Sequence, residues 1–233
     1  MIKAIYFDWG QCFADDYGQQ DTKIEKILKG FNIPLKKFKA LWWKLCILRT
    51  AGDIRSDAEL ESYLNRILQK KIPVKRIIEI EADDKYVPVE HIAIAKELKK
   101  KYKIGILSNG VKEAILAQMR KYKIQDLFDA IIVSSEVGVR KPNALIYYEA
   151  VRKMAVKPEE IVFVSDEIAD DLVAASGLGM KTIWFDRGRK AFTSEDKKVS
   201  EIYKPDAVVR KFSEIIPAIK EIQIQSQSNR LVR

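Results

Sequence analysis

Two cysteines and one histidine in 233 residues narrow the chemistry before any motif is read. Cys12 and Cys46 have no metal-ligand spacing and cannot build a disulfide framework, so reduced thiols in a cytoplasmic protein are expected. With His91 as the sole histidine, a His-rich metal centre is excluded and a Ser-His-Asp triad is disfavoured. No apolar run approaches the ~20 residues that cross a bilayer. Met1 leads directly into apolar Ile2–Phe7 with no basic leader, so neither membrane insertion nor secretion is expected. Acid is the scarcer charge: 33 Asp and Glu face 42 Lys and Arg, a net +9. The lysines fall in clusters, Lys36-Lys37, Lys70-Lys71, Lys99–Lys101 and Lys197-Lys198, mostly near expected helix ends, where cations complement the dipole. Interspersed acids break any basic stripe, which argues against a nucleic-acid partner. The surplus positive charge would still attract an anionic substrate.

What is present reads as a folded α/β chain. At 47% hydrophobic and 32% charged it is globular, and its length suits one α/β domain plus a smaller one. Ile2–Phe7 reads as a buried strand cut off by Asp8. From Thr22 to about Asp84 the pattern is helical without strands. Ile24, Ile27, Leu28 and Phe31 share one helix face; Pro34 opens a second helix with Phe38, Leu41, Trp42 and Leu45 inward; Gly52-Asp53 breaks it. Ser56 and Glu59 have capping-box spacing ahead of a third helix, and Pro73 begins a fourth. These four make a small bundle. From Pro88, helices alternate with strands at 103–107, 130–133, 161–164, 181–185 and 206–209, followed by a helix at 212–222. Alternation of this kind predicts a doubly wound parallel sheet, here with the helical bundle inserted. The domains expected are a core over 1–14 and 88–223, a helical unit over 15–87 and a disordered polar tail over 224–233.

Asp8, Ser108, Lys141 and Asp166 all fall on the carboxyl side of that sheet, where open α/β folds bind ligands. Strand-end Asp residues commonly form turns or caps, but three strands ending in polar residues, plus a lysine at a helix start, exceed what capping needs. The chemistry they could share is phosphoryl transfer. Asp8 would be a carboxylate nucleophile, and Asp166 would join it in holding Mg²⁺. Ser108, with the backbone N–H groups that open the following helix, would bind phosphoryl oxygens. Lys141 would neutralise charge on both carboxylate and phosphate.

Four motifs in order give a resemblance to the haloacid dehalogenase superfamily. They are Ile5–Cys12 (IYFDWGQC), Ile104–Asn109 (IGILSN), Arg140-Lys141-Pro142 and Ile161–Asp171 (IVFVSDEIADD). The helical stretch between the first two is similar to the family's type C1 cap, so the resemblance implies a Rossmann-like core with 15–87 as its cap. The resemblance implies catalytic roles for Asp8, Ser108 and Lys141. It implies substrate binding by Ser108, Asn109, Gly110 and Lys141, and Mg²⁺ near Asp8, the Gly10 carbonyl, Asp166 and Asp171. The expected partner is a small phosphate monoester, with the protein a monomer or homodimer.

Two positions depart from the pattern. Gly10 stands where family phosphatases carry a second Asp as general acid and base, and Cys12 replaces a Thr. Loss of general acid–base catalysis is typically worth about 10²–10⁴-fold. Asp15 or Asp16 could substitute. The 2-haloacid dehalogenases of the family also lack that Asp, but they have a neutral Ser where this chain has Asp166. A cluster of Asp8, Asp166, Asp170 and Asp171 would repel itself without a cation. The function expected is therefore an Mg²⁺-dependent phosphatase. A metal-free dehalogenase, or a feebly active phosphate- or partner-binding protein, remains the alternative. In the cap, Trp42, Trp43, Lys44, Arg49 and Arg55 are the residues whose placement bears on substrate choice. Trp9 would face substrate or pack beneath the cap, Tyr147 would pack on a helix face, and His91 would be structural or exposed.

Overall fold

Consecutive apolar residues at the N-terminus form a strand with no polar face, and such a strand needs cover on both sides. A computed structural model, describing residues 1–188, 198, 199 and 201–231, supplies that cover. Six parallel strands lie in the order Ala130–Val133 (β5), Lys103–Ser108 (β4), Ala4–Phe7 (β1), Ile161–Ser165 (β6), Lys181–Phe185 (β7) and Ala207–Val209 (β8). In β1 the alternation is visible residue by residue. Ile5 and Phe7 enter one apolar layer with Ile104, Ile106, Val162 and Val164, while Ala4 and Tyr6 enter the other with Leu107, Ile161 and Phe163. Val89–Lys99 (α5), Lys112–Lys121 (α6) and Ile215–Leu231 (α10) cover the first layer. Ala144–Met154 (α8) and Val173–Gly177 (α9) cover the second. The reversal of strand order about β1 places the carboxyl ends of β1, β4 and β6 side by side, which is where such folds open a crevice.

Close packing beside β1 has one strict requirement. Gly105 pairs with Tyr6, and a Cβ built on it would lie 2.5 Å from Tyr6 Cε1 and 2.7 Å from the Ala130 carbonyl oxygen. Tyr6 in turn donates to the Ala150 carbonyl at 2.8 Å, which ties the sheet to α8.

Between β1 and β4 the chain forms Gln20–Lys29 (α1), Leu35–Ala51 (α2), Asp57–Leu68 (α3) and Val74–Asp83 (α4). Their inward residues, among them Phe38, Trp42, Leu60, Leu64 and Ile77, form an apolar cluster separate from both sheet layers. Ser56 caps α3 through the Glu59 N–H at 3.1 Å, and Glu59 accepts from the Arg55 N–H at 2.9 Å. Gly52 ends α2 at φ 87°, a left-handed conformation that favours glycine. The helical stretch is entered and left through two-residue strands, Asp15–Asp16 (β2) and Lys85–Tyr86 (β3), paired antiparallel. Two residues are too short for any periodicity, so the sequence shows them only as irregular chain.

The C-terminus corrects an expectation. A disordered tail over 224–233 is predicted from its polarity, yet α10 runs on through Leu231. No Pro or Gly follows Pro217 to break it, and Ser226 and Ser228 turn their hydroxyls onto the Ile222 and Ile224 carbonyls at 2.7 and 3.1 Å. Val232 and Arg233 lie outside the described residues, as does Lys197 of the Lys197-Lys198 pair. Among the described residues no helix is long and apolar enough to cross a membrane.

Candidate active site

Asp8 is the first residue beyond β1, and its N–H still donates to the Val164 carbonyl of β6 at 2.9 Å. The chain then folds back beneath it: the Phe13 N–H reaches the Asp8 carbonyl at 3.1 Å and the Ala14 N–H reaches that of Trp9 at 2.7 Å. Gln11 makes the reversal at φ 63°. Trp9 is buried, stacked on Phe13, and donates through Nε1 to Gln118 at 2.7 Å, so it packs inside the core.

Lys141 joins the motifs. Its Nζ donates to Asp8 Oδ1 at 2.7 Å, to Asp171 Oδ2 at 2.6 Å and to the Leu107 carbonyl at 3.2 Å, using all three protons. At 3% exposure the ammonium has lost its water. Burial opposes its charge, but Asp171 and Asp8 outweigh burial and hold its pKa above the ordinary lysine value. Burial also pushes the Asp171 carboxyl upward, against the pull of Lys141. With Lys141 at 2.6 Å and the Ser165 hydroxyl donating at 2.6 Å, we assign Asp171 as the ionised partner of the pair at neutral pH.

Three expected site residues have partners within the protein. Asp171, expected beside the metal, accepts on Oδ2 from Lys141 and Ser165. Asn109 was expected on substrate; its amide brackets the Lys141 backbone, accepting from N–H at 2.8 Å and donating to C=O at 3.1 Å. Gly110 was likewise expected at the substrate; its N–H goes to Ser134 Oγ at 3.1 Å, and the Lys112 N–H goes to Ser135 Oγ at 3.0 Å. Ser134–Val137 (α7) thus caps α6 from outside, a long-range pairing that no local motif announces. Ser108 is buried at the end of β4, and its hydroxyl makes no hydrogen bond among the described residues.

Asp166 is half-buried directly after β6, and its backbone carbonyl accepts from Trp184 Nε1 at 3.2 Å. Cys12 lies beneath. Its thiol is fully buried, donates to the Val164 carbonyl at 3.5 Å, and is pushed to a high pKa by burial and then by Asp166 and Asp8. That placement fits an inert filler. Asp8 follows β1 and Asp166 follows the neighbouring β6, so both carboxylates stand at the same edge of the sheet, and the Gly10 carbonyl lies two residues beyond Asp8. Hard oxygen donors of this kind, one or two carboxylates with a carbonyl, fit Mg²⁺. Among the described residues no three His, Cys, Asp or Glu side chains converge as a metal cage. Asp170 is exposed.

Asp15 and Asp16 are both engaged. Asp15 pairs with Arg187 and accepts from Tyr86 OH at 3.3 Å, while Asp16 accepts from Gln11 and lies 3.5 Å from Lys85. Arg187 also donates to the Gln11 carbonyl at 2.9 Å, an anchor for the Gly10–Cys12 loop that no motif indicates. Tyr147 OH contacts the Asp170 and Asp171 carbonyls at 3.0 Å each, which fixes the turn carrying Asp171. His91 is buried and stacked on Phe212, with Nδ1 3.0 Å from the Phe13 carbonyl. In the bundle Trp42 is core and donates to Glu81 at 2.7 Å, whereas Trp43 is 63% exposed and Lys44 and Arg55 are exposed. Arg49 is half-buried and reaches Asp57 at 3.5 Å. At the seam between bundle and sheet, Arg140 donates to Thr50.

The match with the haloacid dehalogenase-like hydrolase family spans residues 19–185, so it includes Ser108, Lys141, Asp166 and Asp171 and begins after Asp8. Among curated relatives, a glyceraldehyde 3-phosphate phosphatase of Methanopyrus kandleri is 31% identical over 121 residues, 52% of this chain and 51% of that protein. The pyrophosphatase PpaX of Bacillus mycoides is 30% identical over 128 residues, 54% of this chain and 57% of that protein. The chain thus matches about half the length of these relatives. Solved structures share the fold at lower identity. A 2-haloacid dehalogenase of Pseudomonas syringae superposes with a TM-score of 0.69 at 19% identity, covering 95% of this chain and 99% of its own. An enzyme of the same superfamily from Bacteroides thetaiotaomicron, solved with magnesium and inorganic phosphate, superposes with a TM-score of 0.68 at 18% identity, covering 82% and 98%. With the family match extending over well more than half of its length, the chain belongs to the haloacid dehalogenase-like hydrolases.

Proposed function

We propose that the chain is a phosphohydrolase that takes the phosphoryl group of a small phosphorylated molecule onto Asp8 and releases it to water. The observation that carries this is the arrangement at Asp8. Lys141 occupies Oδ1 and leaves Oδ2 without a hydrogen bond among the described residues, so Oδ2 is the oxygen left to attack. Lys141 holds that carboxylate in place and offsets the charge that builds on phosphate. Asp171, Asn109 and the Leu107 carbonyl hold Lys141, and Ser108 Oγ remains to donate to a phosphoryl oxygen. Mg²⁺ held by Asp8, Asp166 and the Gly10 carbonyl would neutralise the phosphoryl oxygens.

The phosphatase and pyrophosphatase names of the two relatives support phosphate release over halide release. So does Asp166, a carboxylate that a metal-free dehalogenase has no use for. Residues 15–87 would act as the cap that closes the crevice, over a core of 1–14 and 88–223. The chain would work as a monomer or homodimer in the cytoplasm. Phosphate release from an aryl phosphate should require Mg²⁺, stop with EDTA, and fall by about three orders of magnitude or more in Asp8→Asn. Halide release from a 2-haloacid without metal would replace this reading with the dehalogenase one.

A further inference from the structure

Among the described residues, the side chains nearest Asp8 in the chain and in the crevice offer no proton that is not already directed elsewhere. Gly10 has no side chain. Asp15 accepts from Arg187 and Tyr86, and Asp16 accepts from Gln11 and Lys85. A carboxylate that only accepts has no proton to give. Lys141 directs its three protons at Asp8, Asp171 and Leu107. The Tyr147 hydroxyl is turned to the Asp170 and Asp171 carbonyls, and His91 lies under Phe212. Around Gly10 there is room: a Cβ built there meets nothing within 4 Å.

From this we infer that the substrate's leaving oxygen belongs to a carboxylate or a phosphate, so that the chain acts on acyl phosphates or phosphoanhydrides in preference to alkyl phosphates. The inference rests on the phosphohydrolase reading and narrows it. In the first step Asp8 Oδ2 forms a bond to phosphorus as the bond from phosphorus to the leaving oxygen breaks. The electron pair stays on that oxygen, which departs unprotonated. An alkoxide is about as basic as hydroxide, so it is a far poorer leaving group than an anion whose parent acid ionises below neutral pH. A carboxylate's parent acid is near 4, and a phosphate's second ionisation lies near ~6. Only the last two leave readily without a proton. In the second step water adds to phosphorus, the pair of the Asp8–phosphorus bond returns to the Asp8 carboxylate, and water's protons pass to phosphate and solvent. The group expelled there is already a carboxylate. An acid-free site therefore runs both halves of the reaction well only when the first leaving group resembles the second.

The test is a rate comparison with Mg²⁺ on acetyl phosphate, pyrophosphate, phenyl phosphate and glycerol phosphate, corrected for spontaneous hydrolysis. It is run on the wild type, Asp8→Asn and Gly10→Asp. In the wild type, kcat/KM for acetyl phosphate or pyrophosphate should exceed that for glycerol phosphate by at least about a hundredfold. Whichever of the two is faster separates the acyl from the anhydride source. Gly10→Asp, which the open space admits, should raise the ratio of the glycerol phosphate rate to the acetyl phosphate rate roughly ten- to a thousandfold. Wild-type rates for glycerol phosphate and acetyl phosphate within tenfold of each other would overturn the inference, whether or not Gly10→Asp folds. No phosphate from any substrate, or release that survives Asp8→Asn, would instead bring down the phosphohydrolase reading and this inference with it.

Discussion

Asp8 and Asp166 were legible in the sequence because each is a charged residue closing an apolar strand, where burial would be costly without a partner, and Lys141 because it stands at an expected helix start. The positions of Asn109, Gly110 and Asp171 were legible, but their hydrogen-bond partners within the protein were not. Their partners (the Lys141 backbone, Ser134 and the Lys141 ammonium) lie 24 to 32 residues away. His91 shows the same limit and yields a pH prediction. Burial lowers its pKa against the pull of the Phe13 carbonyl, so the folded chain resists protonating it. Unfolded, it titrates near ~6.5. Stability from the neutral ring is therefore fully present above that value and is lost as pH falls through it, because the unfolded chain takes up the proton first. In His91→Phe the drop in melting temperature between pH 7.5 and 5.5 should be smaller than in the wild type. An unchanged drop in a thermal-melt series would assign the acid sensitivity to other groups.

Elements of ten residues or so announce themselves by period, whereas contacts between elements do not. The parallel strands and the helices of the bundle follow from runs and faces in the sequence. The β2–β3 pair and α7 do not, because two or four residues carry no period. The demand at Gly105 belongs with these. A lone glycine in an apolar strand signals close backbone approach, but only the register with Tyr6 names what approaches. Gly105→Ala would press on Tyr6, Met154 and the Ala130 carbonyl at once, and the last of these is backbone in the neighbouring strand. The expected cost is about 1–3 kcal/mol, read as a lower urea midpoint with an unchanged slope. A midpoint equal to the wild type would mean that β4 and β5 can separate without penalty.

At the scale of the molecule, the order of strands about β1 determines where a crevice opens. The bundle has its own apolar cluster, so its packing is expected to hold without its seam with the sheet. Two features make the seam. The Gly52 turn comes so near Gly138 that a Cβ on Gly52 would lie 3.4 Å from the Gly138 Cα. The second is Arg140, which burial disfavours as a cation and which Asp170 and Asp171 support while it donates to Thr50 of α2. Arg140 thus links the residue next to Lys141 to the end of a bundle helix. Replacing it with Met keeps much of its apolar length and removes the hydrogen bond and the charge. In Arg140→Met, amide exchange should quicken in the last turn of α2 and in α7, by roughly fivefold or more if the lost contact is worth about 1 kcal/mol. Amides of α3 around Leu60 and Leu64, inside the cluster, should keep their wild-type protection. Faster exchange through α3 as well would show that the bundle's packing depends on the seam, and the two clusters would then have to be treated as one cooperative unit.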